Sequence, residues 1–117
     1  MKSHKDLNVW NRSIELVITV YQVTKDFPKE ETYGLVSQMR RSVISMPSNI
    51  AEGAARQSKK EFRQFLYIAS GSVSELDTQL IICNKLDLIR DESFRNISDE
   101  LTQIKKMLFG LLNSIKG

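Results

Sequence analysis

The stretch SKKEFRQFLYIASGSVSELDTQLIIC, residues 58–83, decides the fold. Phe62, Leu66, Ala69, Val73, Leu76, Leu80 and Cys83 follow at alternating four- and three-residue steps, which stacks their side chains in one seam along an α-helix. Such a seam wants a helical partner to cover it. Ser58-Lys59-Lys60-Glu61 opens the segment as a capping box: the Ser58 hydroxyl accepts from the Glu61 backbone while the Glu61 carboxylate reaches back to the cap. Running to about Leu86, the helix would be roughly 40 Å long at 1.5 Å per residue, a length typical of bundles.

Reading upstream, Leu35, Met39, Val43, Met46, Ile50 and Ala54 repeat the helical spacing. Pro47 falls inside that run, and a proline removes a backbone donor and clashes with the preceding turn, so a kink or local break is expected between Val43 and Pro47. Further toward the N-terminus, Leu7, Trp10, Ile14, Val17 and Tyr21 predict a first helix from about Leu7 to Lys25. Phe27-Pro28 closes it, since the residue before a proline is pushed out of helical geometry. The connection Lys29-Glu30-Glu31-Thr32 is acidic and suits the positive end of the next helix dipole.

Downstream, a polar break at Asp87 to Glu92 precedes Ile97, Leu101, Ile104, Leu108, Leu111 and Ile115, a fourth amphipathic helix. No sustained apolar-polar alternation suggests a strand. Four such helices with short connections predict an all-α fold, an antiparallel up-down-up-down four-helix bundle, as a single domain over residues 1–117.

The totals agree with one soluble domain. The chain has 117 residues, of which 41% are hydrophobic and 26% charged, a globular composition at a length that can bury a core unaided. Its longest uncharged stretch, Gln64 to Ser74, is 11 residues, against the roughly 20 that a membrane helix needs. Met1 to Lys5 has no apolar segment of a signal peptide, so a cytoplasmic location without membrane association is expected. One cysteine, Cys83, and one histidine, His4, leave no intramolecular disulfide and no Cys/His zinc set.

Few residues suggest chemistry. His4 lacks a positioned partner for acid-base work and is read as solvent-exposed in a frayed segment; Cys83, on the apolar seam, is read as a buried structural thiol. Glu52, Glu61, Glu75 and Asp77 do not form the Glu-x-x-His motifs of a di-metal bundle site. Gly34, Gly53, Gly71 and Gly110 are scattered through helical segments and form no phosphate loop. No cofactor and no catalytic residue is predicted, and an enzyme is the least favoured class.

Charge and polarity are more informative. Between Leu35 and Phe65 lie six basic residues, Arg40, Arg41, Arg56, Lys59, Lys60 and Arg63, against two acidic ones, Glu52 and Glu61. That excess of four exceeds the net charge of +3 of the whole chain. Read as one corner between the second and third helices, these residues could contact RNA or DNA phosphates; on the residues alone, a solvated basic turn is the simpler account. Gln38, Ser45, Asn49 and Glu52 form one stripe on the second helix, with Ser70, Ser72, Glu75 and Gln79 on the third. The candidate oligomer interface or channel is therefore Gln38, Ser45, Asn49, Glu52, Glu75 and Gln79; an ordinary solvated face is the competing account.

Tyr33-Gly34-Leu35, Gln38, Arg40-Arg41, Ser45, Pro47-Ser48-Asn49-Ile50-Ala51-Glu52-Gly53, Ser58, Glu61-Phe62, Ser72, Glu75-Leu76 and Gln79-Leu80, with Val9-Trp10 and Phe27-Pro28 before them, resemble the bacterial proteins encoded within intervening sequences of 23S ribosomal RNA genes. The resemblance covers about residues 7–89. It implies an antiparallel four-helix bundle assembling as a ring-shaped homopentamer. Accessory proteins of diversity-generating retroelements are similar in fold, and there a basic pentamer binds nucleic acid and a reverse transcriptase, which makes a nucleic-acid enzyme an implied partner. Two functions then compete: a non-catalytic oligomeric module that binds RNA or DNA, and a protein-interaction scaffold with no nucleic-acid role.

Overall fold

The computed structural model describes residues 3–115 and contains four α-helices and, among the described residues, no strand. They are α1 (Asn8–Thr24), α2 (Ser37–Ala54), α3 (Lys59–Lys85) and α4 (Asp91–Ser114). Each packs on its neighbours in sequence, and α1 also packs on α4, which closes the ring of contacts around one core. The bundle measures 45 × 23 × 19 Å.

The run of residues 58–83 behaves as its spacing predicts. Leu66, Ala69, Val73, Leu76, Leu80 and Cys83 are all buried, facing Met39, Val43, Met46 and Ile50 of α2 and Ile97, Leu101, Ile104 and Leu108 of α4. Ser58 caps α3, accepting from Glu61 N at 3.1 Å, but its hydroxyl rather than its amide meets the Glu61 carboxylate, at 3.2 Å. Neighbouring helices run antiparallel: Thr24 meets Arg40, Ser45 meets Ser72, and Arg63 meets Leu112.

Four expectations need correction. The face with Leu7, Trp10, Ile14, Val17 and Tyr21 is not the one α1 buries most deeply: its fully buried residues are Val9, Ser13, Leu16, Val20 and Thr24, a face one residue earlier, and Leu7, Trp10 and Val17 pack partly buried against that core. The displaced reading gave no weight to small polar residues. Ser13 and Thr24 are tolerated inside because each hydroxyl donates to the carbonyl four residues back, at 2.7 Å. Ile14 and Tyr21 are left exposed, and Val17 is half-buried.

Second, α2 has no local break at Pro47 and runs on as one helix, as the continuing apolar register favours. The proline ring is buried on the core side of that helix. The break falls earlier: a 3-10 turn (Lys29–Glu31) and a single π-turn (Thr32–Val36) lead into α2, with non-helical backbone at Gly34 (φ −109°, ψ −109°). Third, the N-terminal segment is not frayed at His4. A 3-10 turn (His4–Asp6) is capped by Ser3, and the half-buried His4 ring sits edge-on to Trp10 with centroids 4.9 Å apart. At the other end of the chain, Leu112 replaces Leu111 and Ile115 as the buried end of the α4 seam.

Candidate functional site

Small uncharged side chains let α2 and α3 approach closely. The Ser45 and Ser72 hydroxyls bond to each other at 2.8 Å across the seam. Asn49 Nδ2 donates to the Ser45 carbonyl at 2.8 Å and to its hydroxyl at 2.9 Å, while the Ser72 hydroxyl also reaches the Ile68 carbonyl at 3.3 Å. At Gly53 the helices come close: a Cβ there would stand 2.7 Å from Phe65 Cβ. These polar groups answer one another within the chain.

One does not. Gln79 is buried, and its Oε1 has no hydrogen-bond partner, a costly condition for an amide away from water. Gln79 lies along an open groove of about 720 Å³ bordered by Gln38, Arg41, Ser45, Glu75 and the side chain of Tyr33, which is 96% exposed. The groove therefore brings together Gln38, Ser45, Glu75 and Gln79 of the expected stripe. Asn49 joins them through its bonds to Ser45. Glu52 lies nearer the far end of the seam and pairs with Arg56 at 2.7 Å.

The six basic residues do not form one corner. Arg40 and Arg41 lie near the start of α2, about 20 Å along the helix axis from its end at Ala54, and Arg56 lies just beyond that end. Several of the six are also already engaged. Arg40 donates to Thr24 Oγ1 at 3.1 Å and to the Tyr21 carbonyl at 3.3 Å, its guanidinium 4.3 Å from the Tyr21 ring centre. Arg56 is held between Glu52 and Glu61, the latter at 3.6 Å, and covers the Phe65 ring. Arg63 donates to the carbonyls of Leu112 and, at 2.7 Å, Ile115, thereby capping the C-terminal end of α4. Arg41, Lys59 and Lys60 are exposed and carry no ion pair among the described residues. They are the cations left for a polyanion.

A family described as 23S rRNA-intervening sequence protein matches residues 5–110. The chain belongs to that family. Comparison with curated proteins finds no match. Among solved structures, the chain is similar to a protein of unknown function from the S23 ribosomal protein family of Bacteroides thetaiotaomicron: TM-score 0.83, 25% identity, covering 90% of this chain and 95% of that one. Neither description carries a catalytic activity.

In this intervening-sequence protein, no group of three or more His, Cys, Asp or Glu among the described residues could hold a metal ion. Among the described residues, no helix is long and apolar enough to cross a membrane. Sequence reasoning missed Tyr33, Ser42 and Ile44 on the groove. It also missed Tyr21, which lies beneath Arg40. Tyr33 carried a usable signal, being an aromatic residue in an acidic turn outside either apolar stripe; Tyr21 was assigned to the core by the displaced α1 face.

Proposed function

We propose that this family member is a non-catalytic helical module that assembles with copies of itself through the α2–α3 face and binds RNA or DNA through exposed cations. The observation that carries the reading is the α2–α3 groove. A face of Ser, Asn and Gln side chains, flanked by the exposed Ile44, Ile68 and Ile82, ends in a buried amide whose oxygen is unbonded. A monomer would gain stability by making such a position apolar; a second protein surface supplying a donor makes the amide useful. The family resemblance points to a ring of five copies. Arg41, Lys59 and Lys60, repeated around such a ring, support phosphate contact without base readout.

The test has two parts. Light scattering coupled to size exclusion should give an oligomer, and a strict monomer at high concentration overturns the assembly. Titration of a structured RNA at increasing salt should give a log affinity falling with log salt at a slope of roughly −2 to −3 for three phosphate contacts. The triple variant Arg41→Ala, Lys59→Ala, Lys60→Ala should flatten that slope. Binding that is absent at low salt, or unchanged in the triple variant, overturns the nucleic-acid part.

A further inference from the structure

The face formed by α3 and α4 carries exposed aromatic rings among cations. On α3, Lys59, Arg63 and Tyr67 recur every four residues and so share one side of the helix. On α4, Lys105 and Phe109 are four apart, and Lys106 and Phe109 three. Tyr67 is 54% exposed and Phe109 45%, although both belong to long helices with complete core seams of their own. Nothing in the bundle core requires either ring.

Their alignment follows from two fixed points. Arg63 holds the Leu112 and Ile115 carbonyls, and Ser74 and Asp77 share a hollow with Thr102 and Lys105. Counting inward from both ends of these antiparallel helices, Tyr67 and Phe109 fall at about the same height along this face. Arg63, 3.4 Å from the Tyr67 hydroxyl and beside its ring, stiffens this arrangement. Charge is one-sided here. α4 has no carboxylate after Glu100, and Glu61 is engaged by Ser58 and Arg56, so Asp77 at the far end is the acidic residue that borders Lys105.

We propose that this face binds single-stranded nucleic acid, with unpaired bases stacking on Tyr67 and Phe109 and phosphates meeting Lys59, Lys105 and Lys106. This rests on the nucleic-acid reading above and adds a site and a strand preference to it. Aromatic rings reach only bases whose faces are free, which a duplex hides, whereas every unpaired base offers a π-face. Cations flanking the rings track the backbone. An acidic protein partner would satisfy the lysines but would leave the paired rings without a stacking role.

The experiment is fluorescence anisotropy with a labelled single-stranded oligouridine, and with a duplex of the same length, on the full chain. The single strand should bind more tightly. Tyr67→Ala and Phe109→Ala should each weaken single-strand binding roughly tenfold or more, Tyr67→Phe should retain it, and Leu86→Ala, at an exposed apolar side chain elsewhere, should leave it unchanged. Circular dichroism checks that the variants remain helical. Equal affinity for duplex, or single-strand binding untouched by both alanine variants but reduced by Lys59→Ala with Lys60→Ala, overturns the stacking site and leaves the nucleic-acid reading standing. If the alanine variants change the oligomeric state instead of binding, the rings are a subunit contact and the proposal fails. No binding to either strand form by the unmodified chain overturns both readings.

Discussion

Cys83 shows how one side chain can be legible in a sequence down to its chemistry. Its place on the heptad seam of α3 marks it as buried, and the structure leaves it with no exposed surface, its Sγ 3.5 Å from Met39 Sδ. Burial disfavours the thiolate and pushes the thiol up to about 11, with the negative charge of Glu31 adding to the effect. The folded chain thus holds this proton more tightly than the unfolded chain does. Its contribution to stability is complete below about pH 9 and is lost as pH rises from about 9 through about 11. Denaturation midpoints for the native chain and for Cys83→Val, followed across that window, should diverge in slope, the native chain falling more steeply. A thiol reagent at pH 8 should react slowly with the folded protein and rapidly in urea; equal rates in the two states would show that the thiol is open to solvent.

At the scale of elements, the apolar register of α2, α3 and most of α4 could be read directly, because large apolar residues outnumber the buried Ser42, Gly53, Ala69, Ser72 and Gln79 on their core faces. α1 could not. Its core face contains Ser13 and Thr24, which hydropathy discounts and which the helix accommodates by bonding them to its own carbonyls. The passage of α2 through Pro47 was legible in part: the apolar register runs on past the proline, although a sequence does not show that its ring is buried. The close approach at Gly53 yields a sharper expectation. An alanine there gains roughly 1 kcal/mol of helix propensity, but its Cβ would stand 2.7 Å from Phe65 Cβ and 3.2 Å from the Phe62 carbonyl oxygen. Neither atom is the tip of a flexible side chain, so the helices must separate at a cost of about 1–3 kcal/mol. Gly53→Ala should therefore lower the melting temperature by several degrees. Gly71→Ala and Gly110→Ala, where a Cβ meets nothing within 4 Å, should hold or raise it. Calorimetry on the three variants checks this, and a stabilised Gly53→Ala would mean that the seam is looser than its geometry.

Over the whole molecule, the linear density of charge was visible in the sequence but its distribution was not. Six cations close together in sequence spread over both ends of a 45 Å bundle, and three of them turn inward to Tyr21, to Glu52 and to the end of α4. The polar stripe is the reverse case, since residues far apart in sequence converge on one groove with Gln79 at its base. Gln79→Leu separates the two roles this groove can have. For an isolated bundle the substitution removes a buried amide whose oxygen is unbonded, at nearly constant volume, and should stabilise the fold by about 1–2 kcal/mol. For an assembly in which a neighbouring copy donates to that amide, the same substitution leaves the neighbour's donor without its acceptor and weakens association. The expected outcome is therefore a split: dilute Gln79→Leu protein melts higher than the native chain, while its dissociation midpoint in light scattering moves to higher concentration. Unchanged association together with a higher melting point would mean that the groove faces water, and the assembly proposed for α2 and α3 would have to use another surface.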